Sequence, residues 1–141
     1  MSIPERLPDR LPDHSVGTVL PELVVEMDRT LIVAGAIASQ DFEDVHHDPG
    51  AAQARGTRDV FMSINTTNGW IDKYLTDWAG PSARLTSVSL RLGVPNFAGD
   101  VMTMTGEVTA VDDGVTTVKV TGSNSLGVHV TATATLQEVS R

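Results

Sequence analysis

Two periodicities divide the chain. From Asp59 to Trp78 apolar residues return at helical spacing: Val60/Phe61, Ile64, Ile71, Tyr74/Leu75 and Trp78. Gly80-Pro81 closes the run. Such a helix spans roughly 30 Å, enough to thread a small domain. From Arg84 the period changes to two. Thr86, Val88, Leu90, Leu92 and Val94 share one face, and Val101, Thr103, Thr105 and Thr109 alternate with Met102, Met104, Val108 and Ala110. Asp112-Asp113-Gly114 is a turn signal, Val115 to Thr121 pairs back, and Asn124 to Gly127 is a second turn. Val128, Val130, Ala132, Ala134 and Leu136 make the last alternating strand.

The N-terminal half is less regular. Leu20 to Met27 holds Val24-Val25 after Pro21 and reads as a first strand. Asp28 or Thr30 caps a helix through Leu31–Ala38; its Val and Ile make a strand the rival, and its length and alanines favour helix. Pro49-Gly50 turns the chain, and Ala51 to Ala54 form one helical turn. One strand, a long helix and four antiparallel strands is an α+β order. A sheet wrapped around the long helix buries both, which places Ile64, Ile71, Leu75 and Trp78 against strands of the 84–138 region. Residues 1–15 contain Arg6-Leu7-Pro8-Asp9 repeated as Arg10-Leu11-Pro12-Asp13. Proline every fourth residue forbids a regular helix, so a disordered or extended arm is expected there, with a single domain over 16–141.

Composition narrows the function classes. A chain of 141 residues fits one domain with a small core. Its net charge of −8 argues against nucleic acid and anionic membrane as partners. Without cysteine there is neither a disulfide nor a thiol nucleophile, and a reducing cytoplasm fits. No window is apolar enough to span a bilayer, and the N-terminus lacks the apolar core of a secretory signal.

Candidate chemistry concentrates in Ser39-Gln40-Asp41-Phe42-Glu43-Asp44-Val45-His46-His47-Asp48-Pro49. Nowhere else do carboxylates and imidazoles cluster so tightly. Asp41 and His46 are an acid/base candidate, since a positioned carboxylate and imidazole can activate water. A helix cap for Asp41 and a structural hydrogen bond for His46 are the plainer readings. A metal site from Asp41, His46, His47 and Asp48 is disfavoured, because zinc takes spaced, convergent ligands and no distant third His or Cys is supplied. Asn65, Thr66, Thr67 and Asn68 need polar partners on a helix that should be largely buried. Arg55, Arg58 and Lys73 are cations able to meet phosphate, with scattered surface charge as the alternative.

Asp41-x-x-x-x-His46 followed by Asp48-Pro49 resembles the motif of the MaoC-like hotdog-fold enoyl-CoA hydratases, as do the order of elements and Val94-Pro95-x-Phe97-x-Gly99-Asp100. The likeness covers residues 20–138. The segments 41–48, 76–83 and 90–95 look like the small MaoC-like subunits of actinobacterial heteromeric steroid side-chain hydratases. The resemblance implies a hotdog fold and hydration of a CoA thioester, with no cofactor beyond the CoA of the substrate. That substrate would be a steroid thioester with a three-carbon side chain. The resemblance also implies that Asp41 and His46 hold the attacking water. The N–H of Ser63, at a position where the family has glycine, would stabilise the thioester oxygen beside Met62. From the residues themselves, His47 is structural before it is substrate-lining, Asn65 bonds to the sheet before it lines the pocket, and Arg55 and Arg58 are the cations able to meet CoA phosphates. Hotdog domains pair edge to edge. The implied partner is a larger MaoC-like/DUF35 subunit, in an assembly such as α2β2, with a downstream aldolase reached through it. Departures from the family pattern are Gln40 for glycine, Glu43 for asparagine, Asp44 for proline, and Met62-Ser63 for His-Gly. Two rival functions are a hotdog thioesterase using Asp59 as its acid, and a non-catalytic partner that completes another subunit's pocket.

Overall fold

The computed structural model describes residues 11, 12 and 14–139. Its elements are β1 (Val19–Glu26), α1 (Arg29–Ala38), a three-ten turn (Asp44–His46), α2 (Pro49–Ala54), α3 (Ile64–Ala79), β2 (Ala83–Leu92), β3 (Val101–Asp112), β4 (Val115–Asn124) and β5 (Gly127–Glu138). The five strands form one antiparallel sheet in the order β1-β3-β4-β5-β2. Its inner face supplies Met102, Met104, Val108, Val118, Val120, Val130, Ala132, Ala134 and Leu136, all buried. They close on Thr67, Ile71, Tyr74, Leu75 and Ala79 of α3. This is the hotdog arrangement expected from the sequence, and β1 and β2 are the two edges of the sheet.

The boundaries differ in ways that matter. The long helix starts at Ile64 with Ser63 as its N-cap, five residues later than the apolar period suggested. Val60 is fully buried in the loop before it, and Phe61 forms an isolated bridge with Phe97. Being at the first turn, Ile64 is 47% exposed rather than packed on the sheet. Ile71 and Leu75 are buried and Trp78 is half-buried against the core, as expected. On β2 a register shift between Leu85 and Ser87 turns Thr86 out to solvent, so it does not share the face of Val88 and Leu90. On β5 a second shift, opposite Gly122 and Ser123, leaves Val128 exposed and turns His129 inward. The expected N-terminal arm falls mostly on residues 1–10 and 13, outside those described, but Leu11 is buried against the core.

Gly93 marks a close crossing after β2. Its N–H donates to the His129 carbonyl at 2.7 Å, and a Cβ there would sit 2.3 Å from the Val128 carbonyl oxygen. That contact is with backbone, so a rotamer change cannot relieve it. Gly93→Ala should therefore destabilise the fold by about 1–3 kcal/mol, the usual cost of overpacking. Urea denaturation of the two proteins measures it, and an unchanged midpoint would contradict the close approach.

Candidate active site

The end of α1 places Asp41. Ser39 is the C-cap, Gln40 is left-handed at φ 59°, and the Asp41 N–H donates back to the Ala36 carbonyl at 2.9 Å. The Gln40 N–H donates to the Ile37 carbonyl at 3.1 Å, which completes a Schellman closure. A left-handed residue is the ordinary place for glycine, which accounts physically for the family's glycine at this position. Asp41 leaves the helix with its backbone fixed and its side chain free to turn toward α3.

The three-ten turn places His46. Asp48 closes it by donating its N–H to the Asp44 carbonyl at 2.7 Å, and the Asp48 carboxylate then caps α2. The His46 ring packs edge-on to Phe61, with centroids 5.0 Å apart. Its Nδ1 lies 2.7 Å from the Phe61 carbonyl oxygen. A carbonyl only accepts, so Nδ1 carries a proton. Nε2 is thereby left facing Asp41 Oδ2 at 3.3 Å.

The N-cap of α3 joins the two. Ser63 is fully buried, and its hydroxyl donates to Asp41 Oδ2 at 2.5 Å while accepting the Asn65 N–H at 3.2 Å. That hydroxyl bond is the main cause holding the Asp41 carboxyl below its ordinary value; desolvation opposes it, and the Glu43 N–H at 3.4 Å adds to it. Asp41 thus presents an ionised carboxylate and His46 a ring nitrogen to one point. The two side chains keep 19% and 10% of their surface exposed, so the point is open on one side. A water there can donate one O–H to each acceptor.

The other expected residues divide. Met62 is buried and its N–H is already bonded to the Asn96 carbonyl at 2.9 Å, so it is no free oxyanion donor. Ser63 and Asn65 are at the site, though Asn65 meets it through its backbone and is otherwise exposed. His47 is exposed at the end of its turn, and among the described residues no bond joins its ring to Asp41 or His46. Arg55 pairs with Asp44 at 3.0 Å, and Arg58 pairs with Asp100 at 2.7 Å while lying over the Phe97 ring. Both therefore have carboxylate partners already, although each side chain remains more than half exposed. Asp59 precedes α3 rather than standing on it. Arg29 grips it through bonds of 3.1 and 3.0 Å and holds its carboxyl below the ordinary value. Its carboxylate is thus engaged by Arg29, away from the Asp41–His46 pair's own bonds. Among the described residues no three His, Cys, Asp or Glu side chains converge as a metal site.

Three features escaped the sequence reading: the Ser63 hydroxyl, the Phe61 carbonyl and His129. The first had a signal, since serine is a preferred N-cap and its hydroxyl is then at a helix start. The second, a backbone group, has none.

An Asp–His pair held 3.3 Å apart beside the start of a helix, itself embraced by one antiparallel sheet, can be set against proteins of known structure. The 3-oxo-4,17-pregnadiene-20-carboxyl-CoA hydratase beta subunit of Mycobacterium tuberculosis (strain ATCC 25618 / H37Rv) is 57% identical over 121 residues, 86% of this chain and 94% of that one. A crystal structure of the ChsH1-ChsH2 complex from M. tuberculosis contains a chain that superposes with a TM-score of 0.86 at 56% identity, covering 88% of this chain and 98% of that one. An (R)-hydratase from A. caviae shares the fold, with a TM-score of 0.81 at 23% identity over 89% of this chain and 97% of that one. No protein-family model matches. The chain belongs to the MaoC-like hotdog hydratases, in the family of that beta subunit.

Ser63→Ala removes the principal cause of the depressed Asp41 titration, so the carboxyl should rise toward 3.8. Because the folded-state value is the lower one, the bond's contribution to stability is present above the unfolded value. It is lost as pH falls through the folded one. The variant should accordingly be less stable than wild type at pH 7, with the difference closing below about pH 4. A carbon-13 NMR titration of the Asp41 carboxyl, with thermal melts at both pH values, measures this; an unmoved titration would detach Ser63 from Asp41.

Proposed function

We propose that this chain is the catalytic subunit of an enoyl-CoA hydratase acting on a steroid side-chain thioester, in assembly with a larger MaoC-like subunit. The observation that carries the reading is the approach of His46 Nε2 to Asp41 Oδ2 at 3.3 Å, with the His46 proton fixed on Nδ1 by Phe61 and Asp41 kept ionised by Ser63. Water held between the two acceptors adds its oxygen to the β-carbon of the enoyl group. The pair takes one proton from that water and returns one to the α-carbon, so the net reaction is addition of H and OH across the double bond. Negative charge develops on the thioester oxygen, and the Ser63 N–H at the start of α3 is its stabilising donor. The bonds made by the described residues leave that N–H without an acceptor. The reaction needs no cofactor beyond the CoA of the substrate, and the setting is cytoplasmic. Among the described residues no helix is long and apolar enough to cross a membrane.

The substrate reading rests on the likeness to a 3-oxo-4,17-pregnadiene-20-carboxyl-CoA hydratase beta subunit, and the partner reading on the likeness to a chain of the ChsH1-ChsH2 complex. Physical features agree with a pocket finished by another chain. Phe42 beside Asp41 is 64% exposed and Ile64 beside Ser63 is 47% exposed. Apolar groups flanking a polar site in this way suit a surface that is covered in use. The free edge of β2 offers the place for a second sheet to join. The partner is read as a larger subunit with a DUF35 domain, in an α2β2 assembly, through which a downstream aldolase receives the product.

Asp41→Asn and His46→Ala should each lower hydration by about 10²-fold or more while the chain still folds. Loss of enoyl-thioester absorbance with no release of free CoA is the expected signature; near-normal turnover in either variant would remove that residue from the mechanism. In a separate test, the isolated chain should hydrate a steroid enoyl-CoA far more slowly than the co-expressed pair separated by size-exclusion chromatography. Equal rates would end the heteromeric reading.

A further inference from the structure

His129 plays no part in the chemistry just described, yet it is the most thoroughly engaged histidine of the chain. It is 2% exposed and sits where β5 bulges, opposite no residue of β4, so that it turns inward beside Val130 instead of outward. Its Nδ1 lies 2.7 Å from the Val94 carbonyl oxygen and so carries a proton. Its Nε2 is then an acceptor, and the Thr67 hydroxyl donates to it at 2.9 Å inside the protein. Burial pushes its titration below the ordinary histidine value, in keeping with a neutral ring.

The two arms of this ring end on the two supports of the active site. Thr67 is the first full turn of α3, its N–H bonded to the Ser63 carbonyl at 3.1 Å, and Ser63 is the residue whose hydroxyl holds Asp41. Val94 leads into Asn96 and Phe97. The Asn96 carbonyl receives the Met62 N–H at 2.9 Å, and Phe97 bridges Phe61, whose carbonyl holds His46. One side reaches Asp41 and the other reaches His46, through segment 61–63 in both cases.

We propose that His129 is a positioning residue for hydration: by tying Thr67 of α3 to the Val94–Phe97 segment, it fixes where Phe61 and Ser63 hold the Asp41–His46 pair. It touches neither water nor substrate. A displacement of the pair by a fraction of an ångström alters the geometry of attack, and such misplacements are costly to rate. The inference rests on the hydratase reading for its kinetic form only; the geometric link is independent of it.

The test uses the full chain co-expressed with its larger partner, with 3-oxo-4,17-pregnadiene-20-carboxyl-CoA as probe. Thr67→Val keeps the shape and removes the hydroxyl. His129→Asn keeps a donor near Val94 and no longer reaches Thr67. Each should lower kcat about ten-fold with KM little changed, as expected for lost orientation rather than lost binding. Thr67→Ser should restore the rate, and the double variant should be no worse than either single one, since both cut the same link. Carbon-13 titration of Asp41 should show its carboxyl moved upward in both variants, a change that general destabilisation of a still-folded protein does not produce. If Thr67→Val does not fold, His129→Asn carries the same comparison. Folded variants with wild-type kcat, or with losses that multiply in the double variant, overturn the proposal. A wild-type assembly that hydrates no enoyl-CoA removes the hydratase reading instead. The titration then decides alone, and an Asp41 carboxyl that titrates alike in all forms overturns the positioning role.

Discussion

Both halves of the site hang on three consecutive residues. The Phe61 carbonyl fixes the tautomer of His46, and the Ser63 hydroxyl fixes the charge state and direction of Asp41. Met62 between them is buried and anchored to Asn96 by its backbone. This segment is the extended lead-in to α3, and extended backbone alternates its groups, so neighbouring positions can serve the two sides of one focus. The sheet matters to the chemistry chiefly because it grips α3 through Ile71, Leu75 and Ala79 and so holds that lead-in at a fixed depth. Asp41 and His46 arrive from other elements, a helix end and a three-ten turn. They become a pair only because both are bonded to this segment.

Much of this was legible in the sequence. The change of period from helical to alternating gave the α+β order, and the turn signals at 112–114 and 124–127 gave the hairpins. Asp41 and His46 were legible through motif spacing, and the structure brings them to 3.3 Å. The failures share a cause, which is local geometry that a period cannot report. Apolar Val60 and Phe61 continue the helical rhythm while lying in a loop, so the start of the helix was set too early. Val128 continues the strand rhythm into a bulge, so the rhythm gives no sign that His129 turns inward and is buried. Thr86 is the same error on β2. The partners of exposed cations such as Arg55 and Arg58, Asp44 and Asp100, were likewise not legible in the sequence.

Ionisable groups inside this small domain set its response to acid, and they act in different ranges. His129 has a folded-state value lowered by burial, so the unfolded chain binds its proton more readily. Its neutral, bonded form favours folding above the unfolded value near 6.5, and that contribution drains away as pH falls below it. Asp41 and Asp59 are lowered by hydrogen-bond donors, and their contributions persist until pH falls below about 4. Asp72 opposes them. Its carboxyl is raised by desolvation, and one buried oxygen lacks a hydrogen-bond partner among the described groups. Charged Asp72 is therefore a cost at neutral pH that protonation relieves. Acidification below 6.5 therefore begins to draw on the stability contributed by neutral His129 before it draws on that of Asp41 and Asp59. Because the folded-state value is the lowered one, that loss acts through the unfolded chain, and the Thr67–His129–Val94 link of the folded protein keeps its neutral ring to lower pH than a free imidazole would.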